Sequence, residues 1–350
     1  MFLIDKYRPT NKKDLCFHQD ISNMLEIMSK DDGLPHLIFF GPEGSGKKTL
    51  IEIFLGMLFG SNAYKTKDVT YEVVGSGWKK TNEKVKQSNY HIIINPKGTN
   101  YDRYLIHDIV KKYAKSKTLN NIFENNKKFK LVLVNNLNNL SFYAQAALRR
   151  TMERYNDKCR FIMRCNSLSK VIDPLQSRCR CIRVPAPSDK CIFECIYRVA
   201  CREHMNLSLG EYTDIIKNSY GNVRQALWEL QFKKFGYSLT TSYINSSSQL
   251  VTLILKADLR KYASIRNNFY NTMITNFTSV TILRDLINKL YDCSDISDET
   301  KQLIVKKGAE IDYALTKGRR EIIHFDSFVM NCMHFIKQEK LKKNEKINIT

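Results

Sequence analysis

The chain has 350 residues, with 56 Lys and Arg against 35 Asp and Glu, a formal net charge of +21. Its 43% hydrophobic and 26% charged content is that of a folded globular protein and excludes a disordered chain, while its length suits two or three domains. No apolar run approaches the roughly 18 residues of a membrane span, and Asp5, Lys6 and Arg8 interrupt the start, which speaks against a secretory leader.

The positive balance suits a polyanionic partner, because Lys and Arg neutralise phosphates and release counterions. A coding bias toward Lys, Asn and Ile, visible in the Asn patches at 120–126 and 135–139, accounts for it as well, so charge alone leaves both readings open. The ten cysteines contain no Cys-x-x-Cys pair, the usual mark of a tetrahedral zinc site. With no leader and enough chain to build a core, they are expected to be reduced, buried, structural thiols.

In chain order, Leu37 to Phe40 predicts a buried strand entering a glycine loop. Helical spacing follows at Ile51, Phe54, Leu55 and Leu58. His91 to Ile94 predicts a strand leading through Pro96-Lys97-Gly98 into a helix over 103–115. Lys130 to Val134 predicts another strand, and 144–155 a strong helix. Phe161 to Cys165 and Cys181 to Val184 predict two more strands. Strands alternating with helices imply an α/β layer with a parallel sheet. Pro185-Ala186-Pro187-Ser188 predicts a stiff hinge. Residues 189–235 read as helical, 238–249 as a Ser/Thr-rich linker, 250–340 as helices and 337–346 as a frayed charged tail. The resulting domains are an α/β domain (1–187), a small helical domain (188–240) and an all-α domain (241–350).

Gly41-Pro42-Glu43-Gly44-Ser45-Gly46-Lys47 fits the first seven positions of a phosphate loop, with a strand before it and a helix after it. Its backbone N–H groups and the helix N-terminus would cradle phosphates, and Lys47 would reach the terminal ones. The eighth position, a Ser or Thr that ligates Mg²⁺ in such loops, is Lys48, with Thr49 one residue later. The strand that should end in carboxylates ends in Asn135-Asn136-Leu137-Asn138-Asn139. Asparagine is neutral and cannot act as a general base. The site is therefore expected to bind ATP or ADP and hydrolyse it poorly, with Mg²⁺ not ligated by Lys48 or Asn135.

Four motifs in order, Asp5-Lys6-Tyr7-Arg8-Pro9, Ala147-Leu148-Arg149-Arg150-Thr151-Met152-Glu153, Ser177-Arg178-Cys179 and Gly221-Asn222-Val223-Arg224-Gln225-Ala226-Leu227, resemble the signature series of clamp-loader subunits of the AAA+ superfamily. Gly46-Lys47-Lys48-Thr49, His36-Leu37 and Ser88-Asn89-Tyr90-His91 resemble, within it, the replication factor C small subunits called subunit 3 in animals and subunit 5 in budding yeast. The resemblance implies a lid for the second domain and a collar for the last. It puts Tyr7 and Arg8 beside the adenine, Asn166 at a γ-phosphate sensor and Arg224 on the phosphates from the lid. It assigns Arg178 to a neighbouring subunit's site. Lys111, Lys112, Lys115 and Lys117 become candidates for the DNA backbone, and Arg149 and Arg150 for DNA or a subunit interface.

The function implied is that of a nearly non-catalytic subunit of a heteropentameric nuclear clamp loader. Its partners would be the other replication factor C subunits, a PCNA-type ring clamp and primer–template DNA, with no membrane. Two alternatives remain: an active AAA+ ATPase or stand-alone DNA motor, and a basic nucleic-acid-binding protein with a vestigial nucleotide fold.

Overall fold

The computed structural model describes residues 1–31, 33–74, 80–96, 102–115, 129–237, 239–274, 277–318 and 320–347. Lys117, the Asn patch at 120–126 and Lys97-Gly98 lie outside the described residues. The chain divides into two units, Met1–Gln231 and Phe232–Thr350. The first runs α1 (Leu3–Lys6), α2 (Gln19–Lys30), β1 (Leu37–Phe40), α3 (Lys47–Phe59), β2 (Lys67–Val74), β3 (Lys80–Gln87), β4 (His91–Ile94), α4 (Asp102–Lys115), β5 (Lys130–Val134), α5 (Phe142–Arg154), β6 (Cys159–Cys165), α6 (Asp173–Gln176), β7 (Arg180–Arg183), α7 (Asp189–Arg202), α8 (Leu209–Ser219) and α9 (Val223–Lys234).

The seven strands form one sheet in the order β2-β3-β4-β5-β6-β1-β7. From β4 to β7 all neighbours are parallel, as the alternation of strands and helices predicts. Successive side chains point to opposite faces of a strand. Ile38, Val132, Val134, Phe161 and Met163 accordingly pack with α4 and α5. Leu37, Phe39, Leu131, Leu133 and Ile162 pack with α2 and α3. Both faces are covered, which is why these strands read as continuous apolar runs. The antiparallel pair β2 and β3 was not predicted. Its strands alternate half-buried and exposed residues, and β3 carries one buried apolar side chain, Val85.

A separate small core joins the N-terminal segment to α7, α8 and α9 through Leu3, Ile192, Ile196, Tyr212, Ile215, Ala226 and Leu230. Ser188, at the end of the proline segment, caps α7 by accepting from the Cys191 amide. Ser208 and Glu211 form a reciprocal capping box on α8.

The second unit is all helical: α10 (Leu239–Lys256), α11 (Tyr262–Ile274), α12 (Ser279–Tyr291), α13 (Asp298–Lys317) and α14 (Glu321–Ile347). Two expectations are corrected here. The Ser/Thr-rich segment is not a linker but most of α10. Its buried stripe is Tyr243, Ser247, Leu250, Val251 and Ile254. Ser247 is tolerated inside because its hydroxyl donates to Asp285 (2.9 Å) and accepts from Lys289. The charged tail is the continuation of α14. Phe325, Phe328, Val329, Cys332, Met333 and Ile336 form a continuous apolar face. Beyond it, Glu339 accepts from the Ser297 amide (3.0 Å) and Lys340 donates to the Leu255 carbonyl (2.7 Å). The cysteines also depart from expectation. Cys159, Cys165 and Cys332 are buried, whereas Cys181 and Cys201 are exposed and the other five half-buried.

Two histidines of the first unit set an acid limit. His91 on β4 is 2% exposed, and burial lowers its pKa to about 4. His36 before β1 accepts a hydrogen bond from the Phe161 amide at Nδ1, and burial with the Arg160 charge lowers it to about 4 too. In the unfolded chain both titrate near about 6.5. Between those values the unfolded state binds more protons, so stability rises with pH through the window and is lost as pH falls from about 6.5 to 4. Urea unfolding should show the His91 share, on the order of 3 kcal/mol at full loss. A slope unchanged by His91→Gln would refute this account.

Candidate nucleotide-binding site

The turn between β1 and α3 is shaped by glycines that nothing else replaces. Gly41 (φ +153°) would put a Cβ 1.9 Å from the Val184 carbonyl oxygen. Gly44 (φ +73°) would put one 1.7 Å from the Asn222 side chain. The loop is thereby pressed between β7 and the start of α9, and it leads into α3, whose first two residues are Lys47 and Lys48. Cations are disfavoured at a helix N-terminus by its partial positive charge, so two of them in the first turn suit a bound anion.

Lys47 is 6% exposed and donates to the carbonyl oxygens of Gly41 (2.7 Å) and Pro42 (2.6 Å), which hold its ammonium in the loop. Burial and the nearby Arg164 charge lower its pKa to about 8. Ser45 is 1% exposed, and its Oγ has no hydrogen-bond partner among the described residues. His18, in the left-handed region at φ 63°, donates from Nε2 to the Ser45 carbonyl at 3.0 Å, and burial lowers its pKa.

A cavity of about 290 Å³ opens beside this loop. It gathers, of the predicted residues, Tyr7, Arg8, Glu43 through Thr49, Asn166 and Arg224. Gly41 and Pro42 support the loop without lining the cavity. Pro9, Leu15, Phe17, Val199 and Leu227 add apolar wall, so an aromatic base and a polyphosphate both find suitable chemistry. Tyr7 donates to Glu203 from its hydroxyl. Arg8 pairs with Asp5 at 2.9 Å and Glu52 at 3.3 Å. Arg224, whose amide is capped by Asn222 (3.0 Å), pairs with Glu43 at 3.1 Å.

The polar side chains at the start of α3 and the end of β5 have partners of their own. Lys48 projects toward Glu52 at 3.7 Å. Asn135 donates to Asn95 Oδ1 at 2.8 Å, and Asn136 accepts from Arg164 at 3.0 Å. The carboxylates that line the cavity among the described residues are Asp14 and Glu43, the latter engaged by Arg224. No cluster of three or more His, Cys, Asp and Glu is gathered among the described residues.

Sequence reasoning missed His18 and Arg164. A signal for Arg164 existed: it stands two residues before Asn166 and two after Ile162, so period two places all three on the loop side of the sheet.

Arg178 does not line this cavity. It follows α6, is exposed, and donates from Nε to Glu153 on α5 (2.7 Å) and from Nη1 to the Pro174 carbonyl (2.8 Å). The segment leading to it is pinned by Gln145, 2% exposed on α5. Gln145 donates to the carbonyls of Leu140 (3.2 Å) and Lys170 (2.8 Å) and accepts from the Ile172 amide (2.9 Å). Ile172 is the N-cap of α6. Arg149 approaches Glu153 at 3.9 Å, and Arg150 is exposed one residue on. Lys111, Lys112 and Lys115 lie on α4 and do not line the cavity. Lys112 donates to the Glu72 carbonyl on β2.

Comparison with known proteins follows the same division of the chain. The profile of the DNA polymerase III delta-subunit family matches residues 17–188, and that of the replication factor C subunit 3 C-terminal domain matches 248–340. A replication factor C small subunit of Acanthamoeba polyphaga mimivirus is 37% identical over 351 residues, covering 99% of this chain and 94% of the relative. Replication factor C subunit 5 of Saccharomyces cerevisiae is 31% identical over 354 residues, covering 94% and 98%. Replication factor C subunit 3 of Arabidopsis thaliana is 30% identical over 350 residues, covering 96% and 98%.

Proposed function

The chain belongs to the replication factor C small subunits, a clamp-loader family with the AAA+ fold, and on that premise we propose that it holds a nucleotide with little hydrolysis of its own and lends Arg178 to a neighbouring subunit's ATPase site. In this reading residues 188–240 act as a lid and 241–350 as an oligomerisation collar. The complex is a nuclear heteropentamer that places a ring-shaped clamp on primer–template DNA. The α4 lysines are candidates for the DNA backbone, and Arg149 and Arg150 for a subunit interface or the DNA backbone.

One observation carries the proposal. The glycine loop with buried Lys47 lines a cavity together with Asn136 and has Lys48 at its eighth position, while Arg178, held by Glu153, is exposed and does not line that cavity. A phosphate cradle without a metal ligand or a base can bind and cannot readily turn over. A guanidinium that stays charged and presents a planar fork suits phosphate oxygens elsewhere.

Native purification of the full chain followed by mass spectrometry tests the assembly. Four further replication factor C subunits should co-purify, and clamp and primed DNA should join when ATP is added. Recovery of a monomer that hydrolyses ATP alone would favour the stand-alone motor. A monomer that binds nucleic acid and no nucleotide would favour the vestigial fold.

A further inference from the structure

We infer that Arg164 is the resident cation of the phosphate site: its guanidinium stands in for a divalent ion, so this chain binds a nucleoside di- or triphosphate without metal. The inference rests on the nucleotide reading above and adds to it a residue and a binding mode.

Placement comes first. β6 is the parallel neighbour of β1, with Arg164 in register with Phe39 and Cys165 with Phe40. Since β1 runs directly into the phosphate loop, the end of β6 lies alongside it. Ile162 packs in the core shared with α3, and Arg164, two residues on, emerges on that same side into the cavity that Lys47 lines.

Orientation comes second. Nη2 donates to Asn136 Oδ1 at 3.0 Å, and Asn136 itself is fixed in the left-handed region at φ 51°. The partner is neutral. An amide oxygen accepts one N–H without forming an ion pair, so Glu43 and Glu52 act on the guanidinium only from a distance, whereas a carboxylate at position 136 would pair with it directly. The neighbouring cations differ. Arg224 is paired with Glu43, Lys48 with Glu52, and Arg8 with Asp5 and Glu52. Among the described residues no carboxylate lies in ion-pair range of Arg164.

Electrostatics comes third. Burial and then Arg164 lower the pKa of Lys47; burial, and less strongly Arg8 and Arg164, lower that of Lys48 against Glu52, which raises it; Arg164 is itself lowered by burial and by Arg224. The groups repel one another in a half-buried place. A polyphosphate relieves that repulsion, and a divalent cation would add to it. Arg164 can fork onto two phosphate oxygens, which a point charge such as Lys cannot do as well.

ADP titration calorimetry on the full chain, with Mg²⁺ and with excess EDTA, tests this. The wild-type affinity should agree within about threefold between the two conditions. Arg164→Ala should bind about tenfold or more weakly in EDTA, the scale of a lost hydrogen bond to a charged group. Arg164→Lys should recover part of that loss. Asn136→Asp, which lays a carboxylate on the guanidinium, should weaken binding in EDTA and make it metal-dependent. Aspartate tolerates the left-handed backbone, so this variant decides the matter even if Arg164→Ala does not fold. Wild-type affinity falling more than about tenfold on chelation overturns the inference, as does unchanged binding by Arg164→Ala or Asn136→Asp. No heat from wild type under either condition is distinct from both, because it removes the nucleotide reading itself.

Discussion

Arg178→Ala, in a reconstituted complex, should lower DNA- and clamp-stimulated ATP hydrolysis several-fold while leaving this chain's own nucleotide affinity within about twofold. The geometry separates the two readouts. Arg178 lies outside the cavity that Lys47 lines, exposed and held by Glu153 and the Pro174 carbonyl. An arginine acting in trans contributes about 10³–10⁵ in rate at the site it serves. One such site among several produces a smaller deficit in the total. Lys47→Ala should show the opposite pattern, with nucleotide affinity of this chain down about a hundredfold and a milder effect on turnover. Both complexes need a check by size exclusion that they still assemble. If Lys47→Ala abolishes turnover and Arg178→Ala is silent, the chain is a working ATPase.

Gln145→Leu should destabilise the first unit by about 2–5 kcal/mol, because it leaves two carbonyls and one amide with lost partners at the cost of buried unpaired polar groups. Leucine has nearly the same bulk, so the loss isolates the hydrogen bonds from packing. The functional consequence should exceed the stability consequence. The Ile172 amide that Gln145 holds belongs to the N-cap of α6, and Arg178 follows that helix by two residues. A chain that still folds at low temperature should therefore assemble, bind ADP normally and show part of the Arg178→Ala deficit. A variant as stable as wild type in urea would show that the three contacts contribute nothing net. A stable-enough variant with full stimulated turnover would remove Gln145 from the positioning of Arg178.

Much of this was legible because the chemistry leaves short-range marks. The run Leu37 to Phe40, the glycines and Lys47 announce a strand, a loop and the start of a helix in eleven residues. Elsewhere the decisive physics was long-range. Serines and threonines make 238–249 read as a linker, but Ser247 needs Asp285 and Lys289, about forty residues away, to be buried at all. Near the C-terminus, charge density concealed a helix held by Ser297 and Leu255. The β2–β3 hairpin hid because β3 offers one apolar side chain, and its pairing comes from the partner strand. Arg164 was overlooked for the opposite reason. A charge inside an apolar strand looks like noise until the register with β1 shows which loop it meets.

Glu153 is one carboxylate with two cationic claimants, Arg178 at 2.7 Å from beyond α6 and Arg149 at 3.9 Å from its own helix. Thermodynamic linkage gives this arrangement a direction-free consequence. If a phosphate anion on Arg149 strengthens the hold of Glu153 on Arg178, that hold must strengthen the anion's affinity for Arg149 by the same factor. Polyanion affinity on the α5 surface and the aim of the outward arginine are then two readings of a single equilibrium. Glu153→Gln should uncouple them, with each arginine still present and neither informed of the other.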